Sequence, residues 1–138
     1  MKVWLLFIFI ATGLCSCNTE SGHDKPQKSE SNGTPVIEFS KLEHDFGKIK
    51  EGEKVACVFT FMNSGDNDLL ISSATTSCGC TVPEFDNKPV PPGEGGKIEV
   101  VFDSSYRNGA QNKTIVIRSN ASQQSVVLRI KAEVITNN

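Results

Sequence analysis

The sequence predicts an all-β fold, an antiparallel sandwich of about seven strands, and three observations predict it. From Pro35 onward apolar residues recur at every second position rather than every third or fourth. The alternating stretches are separated by clusters of Gly, Pro, Asn, Asp and Ser. No segment carries a helical period long enough to supply the crossover helices that a parallel α/β sheet needs.

The strands follow in chain order. Ile37 with Phe39 forms the first. Lys54–Asn63 turns Val55, Cys57, Phe59 and Phe61 inward, and Leu69 with Ile71 heads a short strand. Lys97–Asp103 buries Ile98, Val100 and Phe102 against Lys97, Glu99 and Asp103 on the wet face. Ile115 and Ile117 are the inward pair of Thr114–Arg118. In the last strand Leu128, Ile130, Ala132 and Val134 share one face, and Arg129, Lys131 and Glu133 share the other. A period of two gives each strand one buried and one hydrated face, as antiparallel sheets require. The turns are Asn63–Asn67, Pro91–Gly96, Asn108-Gly109 and Ser119–Ser122. The only Trp, Trp4, lies outside this region, so the Cys…Trp…Cys core of antibody domains is absent and the sandwich is Ig-like in architecture only.

The N-terminus reads differently. Met1-Lys2 carries one positive charge, and Val3 to Leu14 is an apolar run too short to span about 30 Å of hydrocarbon. It has the length of a signal-peptide core. Leu14-Cys15-Ser16-Cys17 resembles the lipobox of bacterial lipoproteins, with Leu at −3 and small Ser at −1 of Cys17. Cys15 fits less well, because bulky Leu14 would fill the small position before it. The resemblance implies cleavage after Ser16 and a diacylglycerol thioether on Cys17, an anchor strengthened when a second acyl chain joins it. Residues 1–16 are then a signal peptide. Residues 17–34 form a polar tether with no core-building side chain, in which His23 is solvated, and residues 35–138 form the sandwich.

The 138 residues suit one domain, and 38% hydrophobic with 22% charged residues is an ordinary globular balance. Acids and bases are interspersed at a net charge of −2. That leaves no concentrated basic face for nucleic acid and no polybasic membrane patch.

The chemistry resides in cysteine. Outside the cytoplasm disulfides form and persist, and the sandwich carries three cysteines, Cys57, Cys78 and Cys80. A bridge from Cys57 to Cys78 or Cys80 would close a loop of about twenty residues and add about 3 kcal/mol, provided the Cα atoms approach within about 7 Å. A Cys78–Cys80 bridge closes a tiny ring, which gains little loop entropy and favours easy reduction. Two thiolates at Cys78 and Cys80 could also clip Cu(I) or Zn, but closed zinc sites use four ligands and no His is adjacent. A structural disulfide leads these options, and Cys57 alone reads most simply as a small buried hydrophobe. No cofactor is expected.

Other constellations reduce to structure. His44 and Asp45 are neighbours in extended chain and point to opposite faces, so they read as punctuation before a Phe46-Gly47 turn. Asp66, Asp68 and Asp103-Ser104-Ser105 read as solvated turn residues, since no EF-hand loop surrounds them. Asn32-Gly33-Thr34, Asn112-Lys113-Thr114 and Asn120-Ala121-Ser122 match glycosylation sequons by coincidence.

Several phrases together are similar to one family. They are His44-Asp45-Phe46-Gly47-Lys48-Ile49 followed by Glu51-Gly52-Glu53, Phe59–Gly65, Ser77-Cys78-Gly79-Cys80-Thr81-Val82-Pro83, Pro92-Gly93-Glu94, Gly96-Lys97-Ile98 and Val100–Asp103. The chain resembles domain-of-unknown-function 1573 over most of Glu38–Val134; Cys57 departs from that pattern. The resemblance implies a sandwich near the Hydin, ASPM, major sperm protein and PapD domains, and location on lipoproteins of Bacteroidetes. It implies no settled activity.

The expectation is therefore a lipoprotein of the cell envelope, at the outer membrane on its periplasmic or external side. It carries a non-enzymatic binding or structural module whose partner is another envelope protein. The alternative is a thiol-redox or copper-handling protein acting through Cys78 and Cys80.

Overall fold

The computed structural model describes residues 33–136. The signal peptide, Cys17 and nearly all of the tether lie outside the described residues. Within them are eight strands: β1 (Ile37–Phe39), β2 (Glu43–Lys50), β3 (Lys54–Asn63), β4 (Ile71–Thr76), β5 (Thr81–Phe85), β6 (Gly95–Asp103), β7 (Gly109–Ser119) and β8 (Ser125–Ile135). They form two four-stranded sheets, ordered β1-β3-β6-β5 and β2-β8-β7-β4. The all-β sandwich read from the sequence is the fold.

The inward sets are those the alternation marks. Phe59, Ile98, Val100, Phe102, Ile115 and Leu128 are wholly buried, with Ile117, Ile130 and Val134 nearly so. Burying one such aliphatic or aromatic side chain stabilises by roughly 1.5–3 kcal/mol, so these two facing layers carry most of the stability. Phe61 fits only because Gly96 faces it: a Cβ at that position would collide with the Phe61 ring. Gly65 serves a second close approach, with residues 34–36 passing where its side chain would stand.

Two features depart from the sequence reading. The first is that β2 runs parallel to β8, from Glu43↔Arg129 to Lys50↔Ile135, which makes the second sheet mixed. After β1 the chain crosses from one sheet to the other at Ser40–Leu42, and that crossing sets the direction of β2. The second is that Phe46-Gly47 is no turn but a bulge inside β2, where the register shifts between Asp45 and Lys48. Gly47 adopts a φ of 67°, and its N–H donates to Asp45 Oδ1 at 2.8 Å. The bulge changes the phase of the strand. His44 and Phe46 face half inward before it, and Ile49 is the buried residue after it.

Every sheet edge is interrupted. β1 has three residues, β5 carries Pro83, and β2 and β4 both contain register shifts.

The sandwich has two distinct ends. The first described residues, the β3–β4 turn and the β7–β8 turn gather at one, where Ser122 N–H donates to Pro35 O and Asp66 N–H to Thr34 O. Asn63, fully buried, organises this end. Its Oδ1 accepts from Val36 N–H and Gly65 N–H, and its Nδ2 donates to Asn67 O at 2.8 Å and Val90 O at 2.9 Å. At the opposite end Ser104 is also fully buried, its Oγ 2.8 Å from the carbonyls of Lys50 and Glu53. Ser104 is thus a clamp on the connection from β2 to β3, which crosses between the sheets, rather than a solvated turn residue.

Candidate functional site at the Cys78–Cys80 end

The β4–β5 connection, Ser77–Cys80, lies at the Ser104 end. Ser77 N–H donates to Thr114 O, Thr114 N–H to Ser77 Oγ, and Asp103 N–H to Cys80 O at 2.9 Å. The loop is therefore tied to β7 on one side and β6 on the other. Thr76 Oγ1 adds a 2.8 Å bond to Cys78 O across the loop.

Cys78 and Cys80 form a disulfide with their Cα atoms 5.4 Å apart. Thr81, almost wholly buried, places Oγ1 3.7 Å from Cys78 Sγ and 4.0 Å from Cys80 Sγ. Cys80 packs against the edge of the core. Gly79 between them is exposed, and a Cβ there would meet nothing within 4 Å beyond its two cysteine neighbours.

Cys57 does not join them; it is a free thiol buried in β3. The reason lies in the register. Val55 is level with Phe102 and Thr81, so Cys80 stands three places along and two strands across from Cys57. At about 4.8 Å per strand and 3.3 Å per residue the separation is about 14 Å, twice the reach of a disulfide. The bridge from Cys57 considered in the sequence is thereby corrected. Burial pushes the Cys57 thiol up to about 11, against an opposing pull from Lys41. The Lys41 ammonium lies 5.7 Å from the Phe59 ring centroid and 3.1 Å from His44 Nδ1. Burial, then Lys41, holds the His44 pKa below its ordinary value, and Asp45 only partly offsets them. His44 stacks edge-on to Phe46 at 4.5 Å, while Asp45 is occupied by Gly47, so the two do not form a dyad.

Among the described residues no three His, Cys, Asp or Glu side chains gather as a metal set. Metal clipping by Cys78 and Cys80 gains no third ligand from those residues. An open groove of about 560 Å³ at the Asn63 end runs between Phe61, Phe85 and Gly96, with Glu84, Glu94 and Lys97 on its rim.

The outer face of the first sheet carries three of the exposed large apolar side chains, Val58, Met62 and Val82, while Leu42, Leu70, Tyr106, Val127 and Ile135 are exposed elsewhere among the described residues. Val82, Val101 and Ala56 are register neighbours across β5, β6 and β3. Val58 is the next same-face residue on β3, and Met62 lies two such places further. Val58, Val82 and Met62 are 40%, 52% and 52% exposed. Glu84 and Glu99 stand directly opposite each other beside Val58, and Lys54 pairs with Asp103 at 3.3 Å beyond the row. Neither this face nor Thr81 was singled out in the sequence. The only signal for the face was the run of apolar residues at outward positions, which strand alternation masks.

The family described as "Protein of unknown function (DUF1573)" matches residues 37–134. No curated protein matches the chain. Among solved structures, a protein of unknown function from Porphyromonas gingivalis W83 aligns at 22% identity and a TM-score of 0.63, covering 72% of this chain and 47% of that one. The PapD-like domain 7 of human CEP192, an ASH domain, aligns at 11% identity and a TM-score of 0.60 over 76% of this chain and 89% of that domain. The E. coli chaperone DraB aligns at 13% identity and a TM-score of 0.51, over 74% and 55%. This chain spans about half the length of the Porphyromonas protein and of the chaperone. At these identities the likeness is one of fold.

Proposed function

The chain belongs to the DUF1573 family, and from that membership and its PapD-like fold we propose a non-enzymatic binding module that lipid on Cys17 holds on a bacterial envelope membrane. The sandwich binds another envelope protein through the outer face of its first sheet. The observation that carries this is the apolar row Ala56, Val101, Val82 with Val58 and Met62, bordered by charged side chains. An apolar centre inside a polar rim is the anatomy of a protein–protein interface. The facing carboxylates of Glu84 and Glu99 define the partner further. Like charges directly opposite on a sheet repel, and a Lys or Arg from the partner relieves that repulsion as aliphatic groups cover the valines. The interrupted edges argue for face docking over strand addition, because strand addition needs an uninterrupted row of free amides.

The test uses a photo-crosslinking residue at position 82 and, separately, at position 129 on the outer face of β8, in intact cells. A discrete protein adduct is expected from position 82 alone, and Val58→Lys or Glu99→Lys should abolish it. Equal adducts from both faces, or none from position 82, would overturn face docking. Cys17→Ala tests the anchor: it should move the protein from the detergent phase to the soluble fraction, and identical partitioning of wild type and variant rejects lipidation.

A further inference from the structure

We propose that Cys78–Cys80 is a thiol-exchange site that accepts two electrons from a dithiol protein, separate from the docking face. Four features of the end loop support it. First, the bridge skips a single residue, so its ring gives little loop-closure stabilisation against reduction. Second, Thr81 Oγ1 lies beside the bridge, 3.7 Å from Cys78 Sγ and 4.0 Å from Cys80 Sγ, in reach of whichever becomes a thiolate.

Third, the β4–β7 ladder ends at Thr76↔Ile115 and is followed by the Ser77–Thr114 bonds, so the loop that carries Cys78 starts beside the segment of β7 that carries Lys113. Lys113 is half-buried, and burial, then the nearby Arg107, lowers its pKa. Two cations at this end of the sandwich favour thiolate over thiol in the loop. Fourth, Gly79 is not a glycine the fold demands. Its φ lies outside the left-handed region, and a side chain there would meet nothing within 4 Å apart from the two cysteines that flank it. What the missing side chain leaves is an unscreened approach to the sulfurs.

The exchange runs in two steps. The core does not cover Cys78 as it does Cys80, so a thiolate of the dithiol attacks Cys78 Sγ. The Cys78–Cys80 bond breaks, and Cys80 leaves as a thiolate beside the Thr81 hydroxyl. The partner's second thiolate then attacks the partner's first sulfur in the mixed disulfide, closing the partner's disulfide and releasing Cys78 as a thiolate. The partner gains a disulfide, Cys78 and Cys80 become the reduced pair, and the two thiol protons of the partner return to them or to solvent. A more oxidising disulfide restores the bridge by the reverse exchange.

The experiment titrates the purified full-length protein with a reduced Cys-x-x-Cys peptide and follows peptide oxidation and free thiols by mass. Wild type should oxidise the peptide one for one. Gly79→Val should keep the wild-type melting temperature and slow the exchange about tenfold by covering the sulfurs. Lys113→Gln should raise the pH at which reduced Cys78 becomes reactive to alkylation. A bridge that resists the peptide under native conditions overturns the proposal, as does a Gly79→Val variant that exchanges at the wild-type rate. Neither outcome touches the docking face, whose adduct at position 82 is read independently.

Discussion

Cys57 and the Cys78–Cys80 pair are one residue type in two environments, and the contrast shows how the sandwich divides its work. Cys57 faces the interior of β3, among wholly buried Phe59 and Val100, and its thiol is harder to ionise than a free cysteine. Cys78 and Cys80 lie in an end loop held by bonds to β6 and β7, half-exposed on either side of an uncovered glycine. The interior treats sulfur as a small apolar atom, whereas the end loop leaves it open to chemistry.

The sharpest way to break the comparison is to make the interior position polar. Cys57→Ser puts a hydroxyl into the apolar interior and should cost about 2 kcal/mol in a urea titration. Cys57→Val should cost far less. In native wild type Cys57 should resist alkylation until denaturant is added, and equal labelling rates with and without denaturant would show that the core does not protect it.

Removing the bridge should matter less. Cys78→Ser/Cys80→Ser deletes a ring of three residues, for which chain entropy gives about 1.5 kcal/mol, and the backbone bonds to Thr114 and Asp103 keep the loop in place. A loss of several kcal/mol would instead make the bridge the principal brace of this end.

The smallest effect is electrostatic. Bonds to Ser105, with the Lys54 ammonium alongside, hold the Asp103 carboxyl down at about 2. Because the folded pKa is depressed, its contribution is complete above the ordinary carboxylate range and is lost as pH falls toward about 2. Asp103→Asn should flatten that limb of an acid denaturation curve, and an unchanged curve would rule the interaction out.

Of the strands with unbroken alternation, β3 was legible to the residue, whereas β6 and β8 run one or two residues past the pattern and β7 starts at Gly109, five residues before the Thr114 that the pattern marks. β3 begins at Lys54 and ends at Asn63 as the pattern sets it, and the inward faces of β6 and β8 are the buried ones. β2 was not legible, because its bulge changes phase between Phe46 and Ile49 and no single period fits across it. β5 was hidden by its five residues and by Pro83, which argues against a strand anywhere except at an edge. Strand direction leaves no mark on side-chain alternation, so the parallel pairing of β2 with β8 could not be read. Cysteine pairing is fixed by register across three strands, which spacing along the chain does not encode. Asn63 carried a faint signal as the head of a turn, but that its amide ties together the β3–β4 turn, residue 36 and Val90 emerges only in three dimensions.

Under the proposed membrane anchor, the broken perimeters of the two sheets bear on life at high density. Molecules confined to a layer meet one another far more often than in dilute solution, and long flat borders would let neighbours zip together into fibres. A proline on one margin, kinks on two others and a stub of three residues on the fourth deprive such growth of a template. Copies crowded side by side can thus remain individual molecules.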